Sequence, residues 1–278
     1  MTNSSIAPNS PYQSLSLYLK TLKLSHMLHQ WEAIEQQATQ HHWSYAQFLL
    51  TLCEGEVERR WQARLKRSLS EAQLPNAKTL SSFDFSHLST FNPAPLIQLA
   101  ADASWLKDAH NCLMFGPSGV GKTHLAAAIT RAIIELGYRA KFFGATALVQ
   151  QLQHAKLQLQ LPTMLKKLDR YDLLVVDDLG YVKKSETETS VLFELIAHRY
   201  ERKSLLVTAN QPFSQWDAIF ADEMMTVAAV DRLVHHAVII ELNAQSYRKR
   251  SADNRGASPP AHGQSEHPFS PSEAIPDS

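Results

Sequence analysis

One short stretch decides the fold, namely Gly116-Pro117-Ser118-Gly119-Val120-Gly121-Lys122-Thr123. It fits the G-x-x-x-x-G-K-S/T pattern of a phosphate-binding loop. Residues 111–115 before it read as a buried strand, and residues 124–129 after it are rich in helix formers. Glycines let successive backbone N–H groups face an anion, and the next helix points its electropositive N-terminus at the same anion. We predict that Lys122 reaches the β- and γ-phosphates of a nucleotide and that the Thr123 hydroxyl binds Mg²⁺.

The composition is that of a globular protein, since 44% of the 278 residues are hydrophobic. We expect a cytoplasmic protein without a membrane partner, because no apolar run reaches the roughly 18 residues of a membrane span and the N-terminus lacks a secretory leader pattern. Lys+Arg and Asp+Glu both count 27, so net charge argues neither for nor against nucleic acid. Two distant cysteines, Cys53 and Cys112, exclude a disulfide framework and a Cys-x-x-Cys metal site.

The order of patterns along the chain predicts five regions. Residues 1–11 read as a disordered lead, 12–75 as a small all-helical domain, 76–92 as a linker, 93–250 as an α/β domain, and 251–278 as a disordered tail. The linker holds aromatic residues at Phe83 and Phe85, which we expect to dock on a neighbouring surface. Within 93–250 short apolar strands alternate with helices, which predicts a parallel sheet covered on both faces.

The last helix of the N-terminal region carries an apolar stripe and a basic cluster. The stripe consists of Leu50, Cys53, Val57, Trp61 and Leu65. The cluster consists of Arg59, Arg60, Arg64, Lys66 and Arg67. Such a cluster can contact the DNA backbone, or it can be a solvated face paired with nearby acids, for example Glu56 with Arg60 at i,i+4. Composition alone favours the solvated face.

Two further motifs supply candidate catalytic side chains. Asp177 and Asp178 end the apolar run 173–176, so Asp177 can hold the Mg²⁺ shell and Asp178 can orient and polarise the attacking water. Asn210 ends the next apolar run and can lie between the γ-phosphate and that water, although asparagine is also a common turn residue.

Arg232 follows in a late helical segment and leaves two interpretations open. It is either an arginine finger that completes the site of a neighbouring subunit, or one side of an intrachain ion pair. Two histidine pairs, His41-His42 and His235-His236, are of a residue type that binds metal ions. We expect no zinc at either pair, because adjacent residues on a helix do not share a face and the spacing shows no carboxylate or cysteine partner.

Together these motifs resemble the IstB-like helper ATPases of insertion-sequence transposition, within the AAA+ class and related to the DnaC helicase loaders. The resemblance runs from about Leu15 to Arg248. Its most specific stretches are the loop through His124, then Tyr171-Asp172-Leu173-Leu174-Val175-Val176-Asp177-Asp178-Leu179-Gly180-Tyr181, His198-Arg199-Tyr200-Glu201-Arg202, Thr208-Ala209-Asn210-Gln211-Pro212-Phe213, Asp231-Arg232-Leu233-Val234-His235-His236 and Ser246-Tyr247-Arg248.

The resemblance implies a role for each matching residue. Lys122 and Thr123 become Walker A, together with the rest of 116–124, while Asp177 and Asp178 become Walker B, Asn210 sensor 1 and Arg232 the trans arginine finger. It also implies ATP and Mg²⁺ as cofactors, a five-stranded parallel sheet of order 5-1-4-3-2, and a homo-oligomer. Finally it implies an N-terminal domain that binds double-stranded DNA, so that the basic cluster contacts DNA, and a cognate transposase as partner.

The sequence departs from the family pattern at three places. Asp178 is one methylene shorter than the glutamate usual there, and Ala209 replaces a more usual serine while leaving the amide of Asn210 in place. After Glu241 only about ten residues precede the tail, which predicts that the C-terminal lid domain of many AAA+ proteins is absent.

We therefore expect an ATP-dependent DNA-binding helper of a transposase, which oligomerises on target DNA and uses ATP hydrolysis at subunit interfaces as a switch. A DnaC-like replicative helicase loader shares the same ATPase core and differs in its partner. A non-hydrolysing, ATP-bound DNA scaffold stays open because of the shorter Asp178. A small-molecule P-loop kinase is less compatible with the sequence, because nothing resembles an acceptor-binding lid.

Overall fold

The computed structural model describes residues 11–76, 78–86, 88, 91–180, 185–212, 215–216 and 223–242. The expected disordered tail lies outside these residues, as does all but the last residue of the expected lead. Residues 243–250, where a lid would begin, also lie outside them.

The N-terminal part consists of three helices over its described residues. They are α1 Pro11–Thr21, α2 Ser25–Gln40 and α3 Tyr45–Ala72. The side chain of Ser44 starts α3 by accepting a hydrogen bond of 3.2 Å from the backbone N–H of Gln47, as an N-cap does. The helices share a small apolar core of Leu19, Met27, Trp31, Ile34 and Leu52.

Most members of the apolar stripe on α3 are exposed. Leu50 is 49% exposed, Val57 67% and Trp61 39%, and Cys53 is also exposed. Leu52 and the carboxylate of Glu56 are buried instead. The periodicity identified an apolar face correctly, but only the partner helices decide which face of α3 is covered.

The α/β domain follows in the alternating order that the sequence predicts. Its strands are β1 Asn111–Phe115, β2 Ala140–Gly144, β3 Leu173–Leu179, β4 Ser204–Ala209 and β5 Ala237–Glu241. Its helices are α4 Ala94–Ala101, α5 Ser104–Lys107, α6 Lys122–Glu135, α7 Ala145–Leu157, α8 Leu161–Leu168, α9 Glu186–Arg199 and α10 Glu223–Val234. Helix α7 ends at Leu157, and Leu159, at φ +57°, turns the chain into α8.

The strands form one parallel sheet of order β2-β3-β4-β1-β5, which confirms the predicted order. Apolar clusters cover both faces, one built mainly from α4 and α6 and the other from α7 to α10. Because all strands run the same way, the ends of β1, β3 and β4 meet at one edge, where ligands bind in open α/β sheets. None of the described helices is long and apolar enough to cross a lipid bilayer.

Arg199, at the end of α9, ties the beginnings of two strands together. It is fully buried and donates hydrogen bonds to the carbonyl oxygens of Leu168 at 3.2 Å, Tyr171 at 3.1 Å and Ser204 at 2.9 Å. Burial lowers the pKa of Arg199 to about 10, and backbone oxygens rather than a carboxylate receive its hydrogens. Arg199 thereby fixes where β3 and β4 start, and so where their opposite ends lie.

The C-terminal end of α3 is attached to the α/β domain. Glu71 accepts hydrogen bonds from the Tyr171 hydroxyl at 3.0 Å and from Arg139 at 3.3 Å, and it pairs with Arg170 at 2.8 Å. Burial alone would raise the pKa of Glu71, but these partners lower it overall. Ala72 lies in the same apolar cluster as α4 and α6, so the two regions share a core.

Candidate nucleotide site

The phosphate-binding loop joins β1 to α6 at the shared strand edge. Gly121, the N-cap of α6, has φ +105°, and a Cβ added there would lie 2.5 Å from Cε2 of Phe83. Gly116 has φ +149°, and a Cβ there would lie 2.4 Å from the carbonyl oxygen of Leu242. Both positions therefore require glycine for conformation and for space. The loop ends at the N-terminus of α6, as predicted for an anion site.

Lys122 lies under the loop and is only 6% exposed. Its Nζ donates to the carbonyl oxygens of Gly116 at 2.6 Å and Pro117 at 2.9 Å. Carbonyl oxygens carry only partial negative charge and do not neutralise the buried ammonium of Lys122. The ammonium can therefore offer positive charge and hydrogen-bond donors to a phosphate group.

Asp177 and Asp178 lie at the end of β3 and have different surroundings. Asp177 is buried, and its Oδ1 accepts a hydrogen bond of 2.7 Å from the Thr208 hydroxyl of β4. The same hydroxyl oxygen accepts a hydrogen bond of 2.8 Å from the backbone N–H of Asp178. Asp178 is exposed at φ +64°, where the β3–β4 register shifts between Val176 and Leu179. The two adjacent carboxylates therefore differ in exposure, with Asp177 buried and Asp178 at the surface.

The pKa of Asp177 is raised mainly by burial and further by the charge of Asp178. Hydrogen bonds from Thr208 and Thr123 and the charge of Lys122 act in the opposite direction. Thr123, Asp177 and Lys122 are therefore close enough to interact, which brings the predicted Mg²⁺ ligands together. A divalent cation between them would favour the ionised carboxylate, so this set of donors fits Mg²⁺.

Asn210 directly follows β4, two residues after Thr208. Its Oδ1 is buried and has no hydrogen-bond partner within the described part of the chain. An unpaired buried amide oxygen at this edge fits a polar ligand or a water molecule.

His124 faces the linker. Its Nε2 lies 3.0 Å from the Thr79 carbonyl oxygen, to which it donates when it carries the proton, and 3.2 Å from Ser82 Oγ. Phe83 packs edge-on against the His124 ring, with centroids 5.1 Å apart. Phe83 and Phe85 both pack on the core cluster beneath α6, which confirms that the linker aromatics dock on a neighbouring surface. The linker and the phosphate-binding loop therefore pack against each other directly.

Arg232 lies on α10, away from the loop in sequence. Its Nη1 donates a hydrogen bond of 2.8 Å to the Ala228 carbonyl oxygen, and its guanidinium lies 5.2 Å from the ring centre of Phe193. It lines a cavity of about 650 Å³ with Tyr200, Met224, Val227, Ala228 and Asp231. Arg232 forms no ion pair among the described residues, so they offer no support for the intrachain ion pair.

The basic cluster of α3 divides into two groups. Arg59 and Arg60 both contact Glu56, at 3.0 and 2.7 Å, and Glu56 also accepts the backbone N–H of His26 at 2.7 Å. Burial alone would raise the pKa of Glu56, but these hydrogen bonds lower it to about 2. The second group is exposed and forms no ion pair in the described chain, and it consists of Arg64, Lys66 and Arg67. The pairing of Glu56 with Arg60 is the one that the solvated-face interpretation proposed.

Sequence reasoning missed how three residues contribute to the site and its surroundings. Thr208 appeared only as part of a motif, yet its hydroxyl joins both aspartates across two strands. The contact of Phe83 with Gly121 and the role of Glu56 also depend on chain segments far apart in sequence. For Thr208 the available signal was its place near the end of a strand, two residues before Asn210.

With the geometry established, comparison with known proteins identifies the family. Residues 17–255 match the family model described as IstB-like ATP binding protein. The chain belongs to this family. A relative from Sinorhizobium fredii, named an insertion sequence ATP-binding protein, is 50% identical over 238 residues, which cover 86% of this chain and 80% of the relative. The insertion sequence IS21 ATP-binding protein of Pseudomonas aeruginosa is 32% identical over 245 residues, covering 87% and 91%.

Solved structures show the same fold at low identity. DnaI is 19% identical with a TM-score of 0.52, and the likeness covers 65% of this chain and 98% of DnaI. AMPPCP-bound DnaA from Aquifex aeolicus is 16% identical with a TM-score of 0.52, covering 66% of this chain and 55% of DnaA. The α/β region therefore has the fold of DnaI and of AMPPCP-bound DnaA, and the family to which the chain belongs is described as an ATP-binding one.

Proposed function

We propose that this protein is an ATP-dependent, DNA-binding helper of a transposase that hydrolyses ATP between subunits. One observation carries the proposal: Lys122, Thr123, Asp177, Asp178 and Asn210 come from three elements and meet at one edge of the sheet. The insertion-sequence names of the relatives supply the context of transposition. The protein would act in the cytoplasm.

ATP would be held by the loop 116–124 and by α6. Backbone N–H groups of the loop and Nζ of Lys122 would bind the phosphates, with the ammonium leaving the carbonyl oxygens of Gly116 and Pro117. Thr123 and Asp177 would hold Mg²⁺. When bound, Mg²⁺ supplies positive charge that offsets the charge developing on the phosphate oxygens.

Hydrolysis needs an oriented water molecule, and two side chains at the edge are suited to hold it. Asp178 is exposed whereas Asp177 is buried, so the Asp178 carboxylate can accept a hydrogen bond from water. The free Oδ1 of Asn210 provides a second acceptor. Thr208 fixes the backbone of Asp178 and the carboxylate of Asp177 at once, which keeps their separation constant.

Arg232 would complete the site of an adjacent copy of the chain. Its guanidinium lines an open cavity and forms no ion pair within the described residues, so it is available to a phosphate from outside. A neighbouring subunit placing its nucleotide at this cavity gives a homo-oligomer with shared sites. The exposed basic side chains Arg64, Lys66 and Arg67 would contact double-stranded DNA.

One experiment tests both hydrolysis and its location between subunits. ATP turnover is measured with and without long duplex DNA for the wild type and for Asp178→Asn and Arg232→Ala, each expected to be inactive but to bind ATP. An equal mixture of these two variants should recover about a quarter of the wild-type rate, because about one interface in four then pairs an intact Asp178 with an intact Arg232. Arg202→Ala, which removes an exposed arginine paired with Asp169, is the matched control.

The outcomes separate the alternatives. Turnover by Arg232→Ala alone, or no recovery in the mixture, would refute the trans role of Arg232. ATP-dependent DNA binding by the wild type without any turnover would refute hydrolysis and leave the scaffold. The alternative of a helicase loader rests on the sequence resemblance to the DnaC helicase loaders, and retention of a replicative helicase rather than the transposase would favour it.

A further inference from the structure

A cluster of metal-binding side chain types lies at the end of α10, where the motifs of the site assign no role. It consists of Glu201, His235 and His236, whose ligand atoms all lie within 4.8 Å of one another. Nδ1 of His235 is 3.7 Å from Oε1 of Glu201. All three side chains are exposed, so an ion could reach them directly from solvent.

The backbone explains why two adjacent histidines share a face here. The helix ends at Val234, and His236 has φ +60°, in the left-handed region. The two imidazole rings are consequently only 3.8 Å apart between centres, with 47° between their planes. Our sequence-based argument against zinc assumed helical geometry and no carboxylate, and both assumptions fail at this pair. Glu201 comes from the loop after α9, which the sequence could not connect to His235.

Neighbouring groups already orient both rings. The Tyr200 hydroxyl lies 2.8 Å from Nδ1 of His235. The ring of His110 stacks on His236 at 5.3 Å, with 14° between the planes. In protein metal sites the second ring nitrogen of a histidine ligand makes such a hydrogen bond, so the contact of Nδ1 with Tyr200 leaves Nε2 of His235 as the nitrogen for a metal ion.

We propose that Glu201, His235 and His236 bind a first-row transition metal ion, with Zn²⁺ as the best match. Two imidazoles and one carboxylate are a donor set that Zn²⁺ takes with one position left for water or another ligand. Tetrahedral coordination needs ligand atoms about 3.3 Å apart. The side chains of His235 and Glu201 are 46% and 59% exposed, so rotation about their χ angles can close the present spacing.

A metal ion at this cluster joins the end of α10 to the loop between α9 and β4. Tyr200 belongs to that loop, contacts His235 and also lines the cavity of Arg232. Metal binding therefore stabilises the face of the domain that presents Arg232. Binding itself needs neither ATP nor DNA, so it stands or falls separately from the proposed hydrolysis.

The test is a Zn²⁺ titration of the full chain, purified through a tag without histidine, against a competing chromophoric chelator in excess Mg²⁺. We expect one Zn²⁺ per chain, with the visible absorption of Co²⁺ showing nitrogen and oxygen ligands at the same stoichiometry. Glu201→Gln should weaken binding at least about tenfold, and His235→Ala/His236→Ala should abolish it. Zn²⁺ should also raise the melting temperature of the wild type but not of the double variant.

The matched control is His41→Ala/His42→Ala. That pair also follows a helix, and His42 also lies at positive φ, +53°, but within the described residues it belongs to no such cluster. The control should bind Zn²⁺ like the wild type. The proposal is overturned if the wild type binds no Zn²⁺ in excess Mg²⁺, if binding survives in His235→Ala/His236→Ala, or if the control loses it equally. Far-ultraviolet circular dichroism of each variant checks that a loss is not unfolding.

Discussion

The strand edge that carries the nucleotide residues and the helix α3 that carries the basic cluster were both recognised from sequence, but with different success. At the edge, each polar side chain lies where a strand ends, and parallel strands bring those ends together whatever the side chains do. On α3, the function of an arginine depends on whether a neighbour already holds it. Glu56 holds Arg59 and Arg60, and leaves Arg64, Lys66 and Arg67 exposed. A motif fixed by topology is therefore a stronger predictor than a cluster on a helix surface.

The largest effect is expected at the strand edge, from Lys122→Met. The substitution keeps the volume of the side chain but removes the charge that would bind phosphate, so ATP turnover should fall by about 10²-fold or more. Turnover and binding of a fluorescent nucleotide are the measurements, and an unchanged circular dichroism spectrum shows that the fold is intact. Turnover close to that of the wild type would remove the strand edge from the catalytic role.

The next effect is on the stability of the N-terminal helices, through Glu56→Gln. This change removes a buried carboxylate that two arginines and two backbone N–H groups contact, at a cost of about 2–3 kcal/mol at neutral pH. Hydrogen exchange of the α2 amides measures it. Glu58→Gln is the control, because that exposed carboxylate accepts a hydrogen bond only from Gln62 within the described chain.

The pH dependence of Glu56 gives the same comparison a second readout. Its pKa in the folded protein, about 2, is below the usual 4.5, so its stabilisation is complete above about pH 4.5 and is lost as pH falls through about 2. The difference between the wild type and Glu56→Gln should shrink over that range. A difference that stays constant down to pH 2 would contradict the assignment.

The division of the basic cluster is tested by DNA binding at several salt concentrations. Arg64→Ala/Lys66→Ala/Arg67→Ala should reduce the slope of log affinity against log salt by about 0.9 for each phosphate that the variant no longer neutralises, so by up to about 3. Arg59→Ala/Arg60→Ala should change the slope little, because Glu56 already holds both side chains. Lys166→Ala/Lys167→Ala removes like charges from α8 as a control. Equal slopes for all variants would place the DNA elsewhere.

The smallest effect is expected where the two regions join, from Glu71→Gln. Its arginine partners are about half exposed, so removing the charge should cost about 0.5–1 kcal/mol in the free energy of unfolding. Chemical denaturation measures this, with Glu135→Gln, whose Arg131 contact is 3.9 Å long, as control. A decrease above about 3 kcal/mol would mean that Glu71 holds the two regions together on its own.

The apolar runs predicted the strands and where each one ends, and the family resemblance implied the sheet order that the structure has. Apolar runs 111–115, 173–176 and 205–207 are strands because they are buried on both faces, and the loop pattern fixes which strand comes first. Once the order is known, the positions of Asp177 and Asn210 follow. The bulge at Asp178 was not predictable, because it depends on how Thr208 of the neighbouring strand meets two successive residues.

The remaining features depend on contacts between distant segments. The apolar residues of α3 have helical spacing, but spacing cannot say which face α1 and α2 cover. Glu201 and His235 come together only because α9 and α10 pack side by side. Within such contacts a buried charge such as Glu56 looks in the sequence like any surface glutamate.

The length of α3 has a mechanical consequence. Its 28 residues span about 42 Å, and its C-terminal end is fastened beside the sheet through Glu71 and Ala72. A tilt of about 10° at that end would displace the other end by about 7 Å, which equals about two base-pair steps of duplex DNA. The length of α3 thus sets how far its N-terminal end would move for a small change of angle at Glu71.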